Sequence, residues 1–227
     1  MRYALYVAPP ADHALTRAAV SWLGRDAFGG PAAVQPPEGT GLDADFWKTI
    51  TADPRRYGFH ATIKAPFRLA EGKTEAGLQS AVQAFAERTQ RFEITLALAA
   101  IGPFFALVEN EPSAALARFA GDVVTEFEPF RAPLSEADYA RRRPERLSPR
   151  ERELLDQWGY PYVFDQFQFH MSLTGPVPVE RQEDVYRALK RHFGGFIGKP
   201  LSISHLALFE EPASGADFTV RALHALQ

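Results

Sequence analysis

Two of the six histidines carry a hydroxyl residue two positions later, in His60-Ala61-Thr62 and His170-Met171-Ser172. The likeness extends beyond the tripeptides. Phe59-His60-Ala61-Thr62-Ile63-Lys64-Ala65-Pro66 aligns without gaps on Phe169-His170-Met171-Ser172-Leu173-Thr174-Gly175-Pro176, with Phe, His and Pro identical. Residues two apart on a β-strand share a face. Phe59, Ala61 and Ile63 are therefore predicted to face a core, with His60, Thr62 and Lys64 on the opposite side. The second copy sorts the same way, with Phe169, Met171 and Leu173 inward and His170, Ser172 and Thr174 on the polar row. Such a row suits the wall of a cleft, and two of them converging across one cleft suit displacement at phosphorus. That reaction needs a base on the attacking oxygen and an acid on the leaving oxygen, and histidine supplies either form near neutral pH. Hydroxyls can hold the non-bridging oxygens where charge builds up.

On this reading His170 is the base toward water and His60 the acid toward the leaving oxygen, although the internal symmetry leaves the reverse assignment open. Thr62 and Ser172 hold the phosphoryl oxygens, and Lys64 and Thr174 add contacts. A lone H-x-[ST] tripeptide recurs by chance; a flanking pattern shared over eight positions, three identical and three similar, argues against that here. His13, His192, His205 and His224 lack such a context and read as structural residues.

The rest of the sequence narrows the chemistry by exclusion. There is no cysteine, so thiol nucleophiles, cysteine-ligated metals and disulfides are out. No H-E-x-x-H, H-x-H, Walker loop or Rossmann glycine fingerprint occurs, which predicts a metal-independent reaction without a cofactor. A net charge of −3 offers no global attraction for nucleic acid, so an anionic ligand needs a local basic pocket. The expected partner is a small phosphorylated substrate, with no nucleic acid beyond short RNA ends. The apolar run from Ile94 to Val108 is cut by Gly102-Pro103 and is too short for a membrane span, and the run before Pro9-Pro10 is too short for a secretory signal. A cytoplasmic location without membrane attachment is expected, and the sequence leaves the oligomeric state open.

Periodicity sets out the elements that must position the histidines. Arg2 to Val7 alternates as a strand, with Tyr3, Leu5 and Val7 on one side. A helix capped by Asp12 is predicted to reach Leu23, followed by a Gly- and Pro-rich loop from Gly29 to Asp45. A strand over 59–67, a helix over 75–88, strands near 92–99 and 104–109, and a helix over 113–127 follow. Residues 129–162, broken by five prolines, read as a basic, partly helical insertion. A strand ending at Leu173, a helix over 179–193, and strands near 200–209 and 217–223 complete the chain. The order strand, helix, strand, strand from Phe59 to Glu109 thus recurs from Phe169 to Ala222. A single domain over 1–227 is expected, with a first lobe at about 1–128, the insertion at 129–162 and a second lobe at 163–227.

Further candidates lie around the motifs. Arg55, Arg56 and Tyr57 immediately precede the first motif strand and are placed at the cleft mouth. Arg141-Arg142-Arg143, continuing to Arg146, Arg150 and Arg152, alternates with glutamates and reads as a solvated face. If the insertion folds over the cleft, one of these arginines or Arg131 can bind a second phosphate. Trp158, Tyr160 and Tyr162 can stack on a base or sugar, although packing of the insertion against the lobes is the favoured account of them.

At the paired motifs the chain resembles the two-histidine (2H) phosphoesterase superfamily. Tyr57 to Phe67, Pro129-Phe130-Arg131-Ala132-Pro133 and Trp158-Gly159-Tyr160-Pro161-Tyr162 are similar to its bacterial branch associated with phosphonate-utilisation operons. The resemblance implies an α+β fold of two pseudo-twofold lobes, each with a mainly antiparallel sheet and flanking helices, and a cleft between them. It also implies hydrolysis of a small cyclic phosphate ester, such as a phosphoribosyl cyclic phosphate; the residues read above as its contacts are Tyr57, Lys64, Thr174, Arg131 and Tyr160. Two alternatives stay open: processing of RNA ends or nucleoside 2′,3′-cyclic phosphates, and a non-catalytic protein that binds a phosphorylated metabolite.

Overall fold

The computed structural model describes residues 1–227. Eight strands form one antiparallel sheet: β1 (Arg2–Val7), β2 (Ala61–Phe67), β3 (Phe92–Ile101), β4 (Phe104–Glu109), β5 (His170–Ser172), β6 (Pro200–Ile203), β7 (His205–Glu211) and β8 (Thr219–Ala225). Their order across the sheet is β6-β3-β4-β5-β2-β1-β7-β8. The helices are α1 (Ala14–Leu23), α2 (Ala44–Tyr57), α3 (Glu75–Ala86), α4 (Ala114–Glu126), α5 (Glu136–Arg141), α6 (Pro149–Trp158) and α7 (Gln182–Phe193). The fold is mixed α+β.

Strand alternation sorts the side chains onto two faces. Tyr3, Leu5 and Val7 join Ile63, Met171, Leu206 and Leu208 in the main core, which is closed by apolar residues of α1, α2, α3, α4 and α7. Ala4, Tyr6, Ala207 and Phe209 point the other way into a smaller cluster with Phe218, beside which Tyr57 packs. That second face carries the polar residues of the paired motifs.

The two motif strands are neighbours at the centre of the sheet. Ala61 pairs with Met171 in antiparallel register, so His60 lies beside Ser172 and Thr62 beside His170. The two polar rows, one from each expected lobe, therefore lie side by side on one face of one sheet, related by the local twofold of an antiparallel pair. Each half of the sheet also mixes the two ends of the chain. The first-lobe strand β3 pairs with β6, and β1 pairs with β7. A half of the sheet is thus not a continuous stretch such as 1–128 or 163–227.

Several elements differ from expectation for local reasons. The cap of α1 is His13, whose Nδ1 accepts from the Leu15 N–H, not Asp12. The segment before the first motif is a 14-residue helix, α2, capped by the Asp43 carboxylate. Pro54 sits inside it, and a proline removes one helical hydrogen bond. The freed Ile50 carbonyl instead accepts from the Gly175 N–H at 2.6 Å, which ties α2 to the segment that follows β5. The single strand expected near 200–209 is two, β6 and β7, separated by Ser204. Its first part pairs with β3 and its second with β1 and β8. One short bend in the chain thus serves both ends of the sheet, so the sheet is curled. The Gln227 N–H donates to the Thr89 carbonyl and the Arg91 N–H to the Gln227 carbonyl across the same seam.

Candidate active site

The exposed sides of His60, Thr62, His170 and Ser172 line one cavity of about 300 Å³. Beneath it, Phe59, Ala61, Ile63, Phe169, Met171 and Leu173 are buried as the alternation predicts. The two imidazoles are held alike. The Nδ1 of His60 lies 2.9 Å from the Gly58 carbonyl and that of His170 lies 2.9 Å from the Gln168 carbonyl. A carbonyl only accepts, so each Nδ1 carries the proton and donates, which leaves Nε2 as the ring atom free for chemistry. The Nε2 of His60 is 3.2 Å from Thr62 Oγ1.

Their surroundings differ. Tyr6 stacks on His60 with ring centroids 3.8 Å apart, and Phe209 and Tyr57 lie at 5.9 and 6.0 Å. His170 has one aromatic neighbour, Phe104 at 6.1 Å. Burial pushes the His60 imidazole down to about 4; the Gly58 carbonyl opposes that shift and the nearby His170 reinforces it. His60 is therefore neutral at neutral pH, with its Nε2 lone pair available.

The other expected contacts divide. Tyr57 and Tyr160 line the same cavity. Tyr57 stacks on Phe218 at 4.9 Å. Tyr160 comes from the 129–162 insertion, as does Arg142, whose guanidinium lies 4.8 Å over the Tyr160 ring. The insertion therefore covers part of the cleft. Thr174 also lines the cavity, but its Oγ1 accepts from the Phe105 N–H at 3.0 Å, so the hydroxyl secures β4.

Lys64 and Arg131 are not in the cleft. The register between β1 and β2 slips by one residue, since Tyr6 pairs with Thr62 and Leu5 with Lys64. The extra residue is a bulge, and past it alternation reverses. Lys64 thus turns to the helix-covered face, where it is 4% exposed and its Nζ donates to the Val124 carbonyl at 3.0 Å and to Glu128 at 2.8 Å. Arg131 grips the same Glu128 at 2.6 Å and the carbonyls of Ala132 and Gln157, which fastens the insertion. Arg55 is likewise structural, donating to the Leu23 carbonyl at 2.7 Å and lying over Trp47.

Tyr6 escaped the sequence reading, and Arg142 is singled out there only as one of several arginines that reach the cleft if the insertion covers it. Tyr6 shares the strand face of Ala4, opposite Leu5, but nothing in its own segment says which strand lies beside β1. Arg142 sits in a run of arginines whose neighbours are solvated; Arg150, for example, pairs with Asp165 and Glu153 on the surface. The four remaining histidines take part in no cleft. His13 caps α1, His192 is 2.8 Å from the Ala18 carbonyl, and His205 is 2.9 Å from Ser204 Oγ. The His224 Nε2 is buried without a partner. Nowhere do three His, Asp or Glu side chains converge as a metal would require, and no helix is long and apolar enough to cross a membrane.

Fold and site together define an α+β protein with a paired histidine–hydroxyl cleft on the open face of an antiparallel sheet. The chain belongs to the family described as "Protein of unknown function (DUF1045)", whose model matches residues 62–219. It is 37% identical over 222 residues to "Ribose 1,5-bisphosphate phosphokinase PhnN" of Janthinobacterium sp. (strain Marseille), covering 96% of this chain and 49% of that protein. The protein of the same name from Laribacter hongkongensis (strain HLHK9) is 37% identical over 223 residues, covering 96% and 50%. The chain spans about half the length of these curated relatives. Among solved structures, the crystal structure of TT0787 of Thermus thermophilus is similar at 15% identity and a TM-score of 0.49, covering 100% of this chain and 98% of that one. A second, "Crystal structure of phosphoesterase", is similar at 14% identity and a TM-score of 0.41, with the same coverage.

Proposed function

We propose that this protein is a metal-independent phosphodiesterase of the two-histidine type that opens a small cyclic phosphate ester with water. The observation that carries the reading is the matched pair of imidazoles in one cavity. Each is anchored through Nδ1 to a carbonyl two residues upstream, and each is accompanied by a hydroxyl from its own strand. His60, held neutral by its aromatic packing, takes the proton of the attacking water on Nε2, and the negative charge of a bound phosphate strengthens it as a base. His170 enters as the imidazolium and gives its Nε2 proton to the leaving oxygen as the phosphorus–oxygen bond of the ring breaks. These roles are the reverse of those the sequence favoured, and the difference in packing around the two rings is the reason. Thr62 and Ser172 hold the non-bridging oxygens. The product is a phosphomonoester.

The names of the curated relatives support a phosphorylated ribose as the substrate's scaffold. This chain has no Gly-x-x-x-x-Gly-Lys-[Ser/Thr] loop for a nucleotide triphosphate, so the phosphokinase named for those proteins is assigned to the half that this chain does not span. A phosphoribosyl cyclic phosphate, as in phosphonate breakdown, fits that pairing.

The test is phosphorus NMR of chelator-treated protein with ribosyl and nucleoside cyclic phosphates. His60→Ala and His170→Ala should each lower turnover by roughly 10²–10⁴ and leave the circular dichroism spectrum unchanged. Near-wild-type turnover in both single variants would overturn the proposal.

A further inference from the structure

A second cavity, of about 330 Å³, adjoins the histidine cleft and shares Tyr57, Pro66 and Arg142 with it. Five arginines line it: Arg2 from β1, Arg56 from the last turn of α2, Arg68 just after β2, Arg141 at the end of α5, and Arg142 beyond it. The only carboxylate in its wall is Asp138. Such a concentration of positive charge is out of keeping with a chain of net charge −3, and it matches the local basic pocket that an anionic ligand requires.

The arginines are fixed in place without being neutralised. Glu211, fully buried behind the wall, pairs with both Arg2 and Arg56 and also accepts from the Gly215 N–H. Asp138 pairs with both Arg68 and Arg141. Two carboxylates thus orient four guanidinium groups, and Arg142 has no carboxylate partner, its plane resting on Tyr160. Five positive and two negative charges leave an excess of three. A shared carboxylate directs an arginine fork but satisfies only part of its donors, so the remaining N–H groups are set for a planar, multiply charged acceptor. A phosphomonoester dianion fits that description, because its oxygens accept arginine pairs in bidentate fashion.

We propose that this arginine cavity is a second anion subsite that receives a separate phosphomonoester of the molecule whose cyclic diester lies between His60 and His170. The inference rests on the cyclic-phosphodiesterase reading and extends it to a substrate class: a cyclic phosphate bearing a second, terminal phosphate on the same sugar. A sugar cyclic phosphate and a 5′-phosphorylated nucleoside cyclic phosphate share that chemistry, and the choice between them is made in the cleft. Arg142, at the junction of the two cavities, touches the segment that joins the two phosphates.

Two measurements test the subsite and keep it separate from the catalytic reading. In calorimetry, ribose 5-phosphate should bind wild type and His60→Ala alike, ribose should not bind, and Arg68→Gln and Arg142→Gln should each weaken the phosphate ester by about tenfold. Arg68 lies only in the second cavity, with a half-exposed side chain, so its variant reports on the subsite without disturbing the cleft or the fold. In kinetics, wild type should prefer a ribosyl cyclic phosphate bearing a 5-phosphate over one without it by at least about tenfold in kcat/KM, and both arginine variants should lose that preference. Turnover without preference, or binding of ribose 5-phosphate unaffected by both variants, would overturn the subsite alone. Arginine-dependent binding with no turnover of any cyclic phosphate would overturn the catalytic reading and leave the subsite standing. A matched pair of sugar and nucleoside substrates, both carrying the 5-phosphate, distinguishes the two sources.

Discussion

His60 and His170 have similar neighbours in sequence and the same kind of backbone anchor, yet what packs on them differs. The Tyr6 ring and the second aromatic layer exclude water from His60, and a charged imidazole there loses hydration that a neutral one does not need. This gives a stability signature. The folded-state value of about 4 lies below the ordinary 6.5, so between those pH values the unfolded chain binds a proton that the folded chain refuses. The contribution of His60 is therefore complete above pH 6.5 and is lost as pH falls toward 4, by about 3 kcal/mol in all. Burial also lowers His205 and His224, so they act in the same direction. The comparison must accordingly be with a variant that removes only one titration. His60→Asn should show a loss of Tm between about pH 7 and pH 4.5 that is smaller than wild type by about 5 °C. Parallel loss in the two proteins would mean that His60 is not held neutral by its packing. The face on which His60 lies was readable from alternation alone; its partner Tyr6 was not, because the pairing of β1 with β2 is a contact between residues more than fifty positions apart.

At the scale of elements, what the sequence hides is irregularity. Alternation placed His60 and Thr62 correctly and failed one step later at Lys64, since a bulge is a property of the strand pair and leaves no mark in one strand. The helix α2 was concealed by Pro54, a residue that ordinarily ends a helix, because its cost is met outside the helix by the Gly175 N–H on the freed Ile50 carbonyl. Both irregularities serve the site. The α2–Gly175 bond ties the helix that ends at Tyr57 to the strand that carries His170, and the Lys64–Glu128–Arg131 group fastens β2 to α4 and to the insertion that supplies Tyr160 and Arg142. If Lys64 works in that fastening, Lys64→Ala should cost about 2–4 kcal/mol in denaturant unfolding, because it empties a buried position and removes the ammonium that both the Val124 carbonyl and Glu128 contact. The folded fraction should keep kcat and KM within about twofold of wild type. A KM raised tenfold with unchanged stability would instead return Lys64 to the substrate.

Over the whole molecule, the repeat read from the sequence, whose second copy has one strand more than the first, does not divide the chain into parts that stand alone. The two copies contribute neighbouring central strands, and each half of the sheet is completed by strands from the other end of the chain. β3 is left with an open edge unless β6 returns to it, and β1 needs β7 on one side and β2 on the other. The main core follows the same plan, with Trp22 and Trp47 packed in one cluster with Val185, Leu189 and Phe193 of α7. A stretch such as 1–128 would therefore expose unpaired strand edges and half of a hydrophobic core, and neither could be repaired locally. Unfolding should then be a single cooperative event despite the repeated motif. Trp22 and Trp47 report the core and Trp158 the end of α6 through fluorescence, and circular dichroism reports all helices and strands, α5 and α6 of the insertion included. In guanidinium chloride the two signals should trace one transition with the same midpoint and slope. Two separated transitions, with the tryptophans following the earlier or later one alone, would mean that the lobes fold as independent units. The histidine cleft would then be an interface between them, formed by docking and free to open, instead of a fixed feature of one sheet.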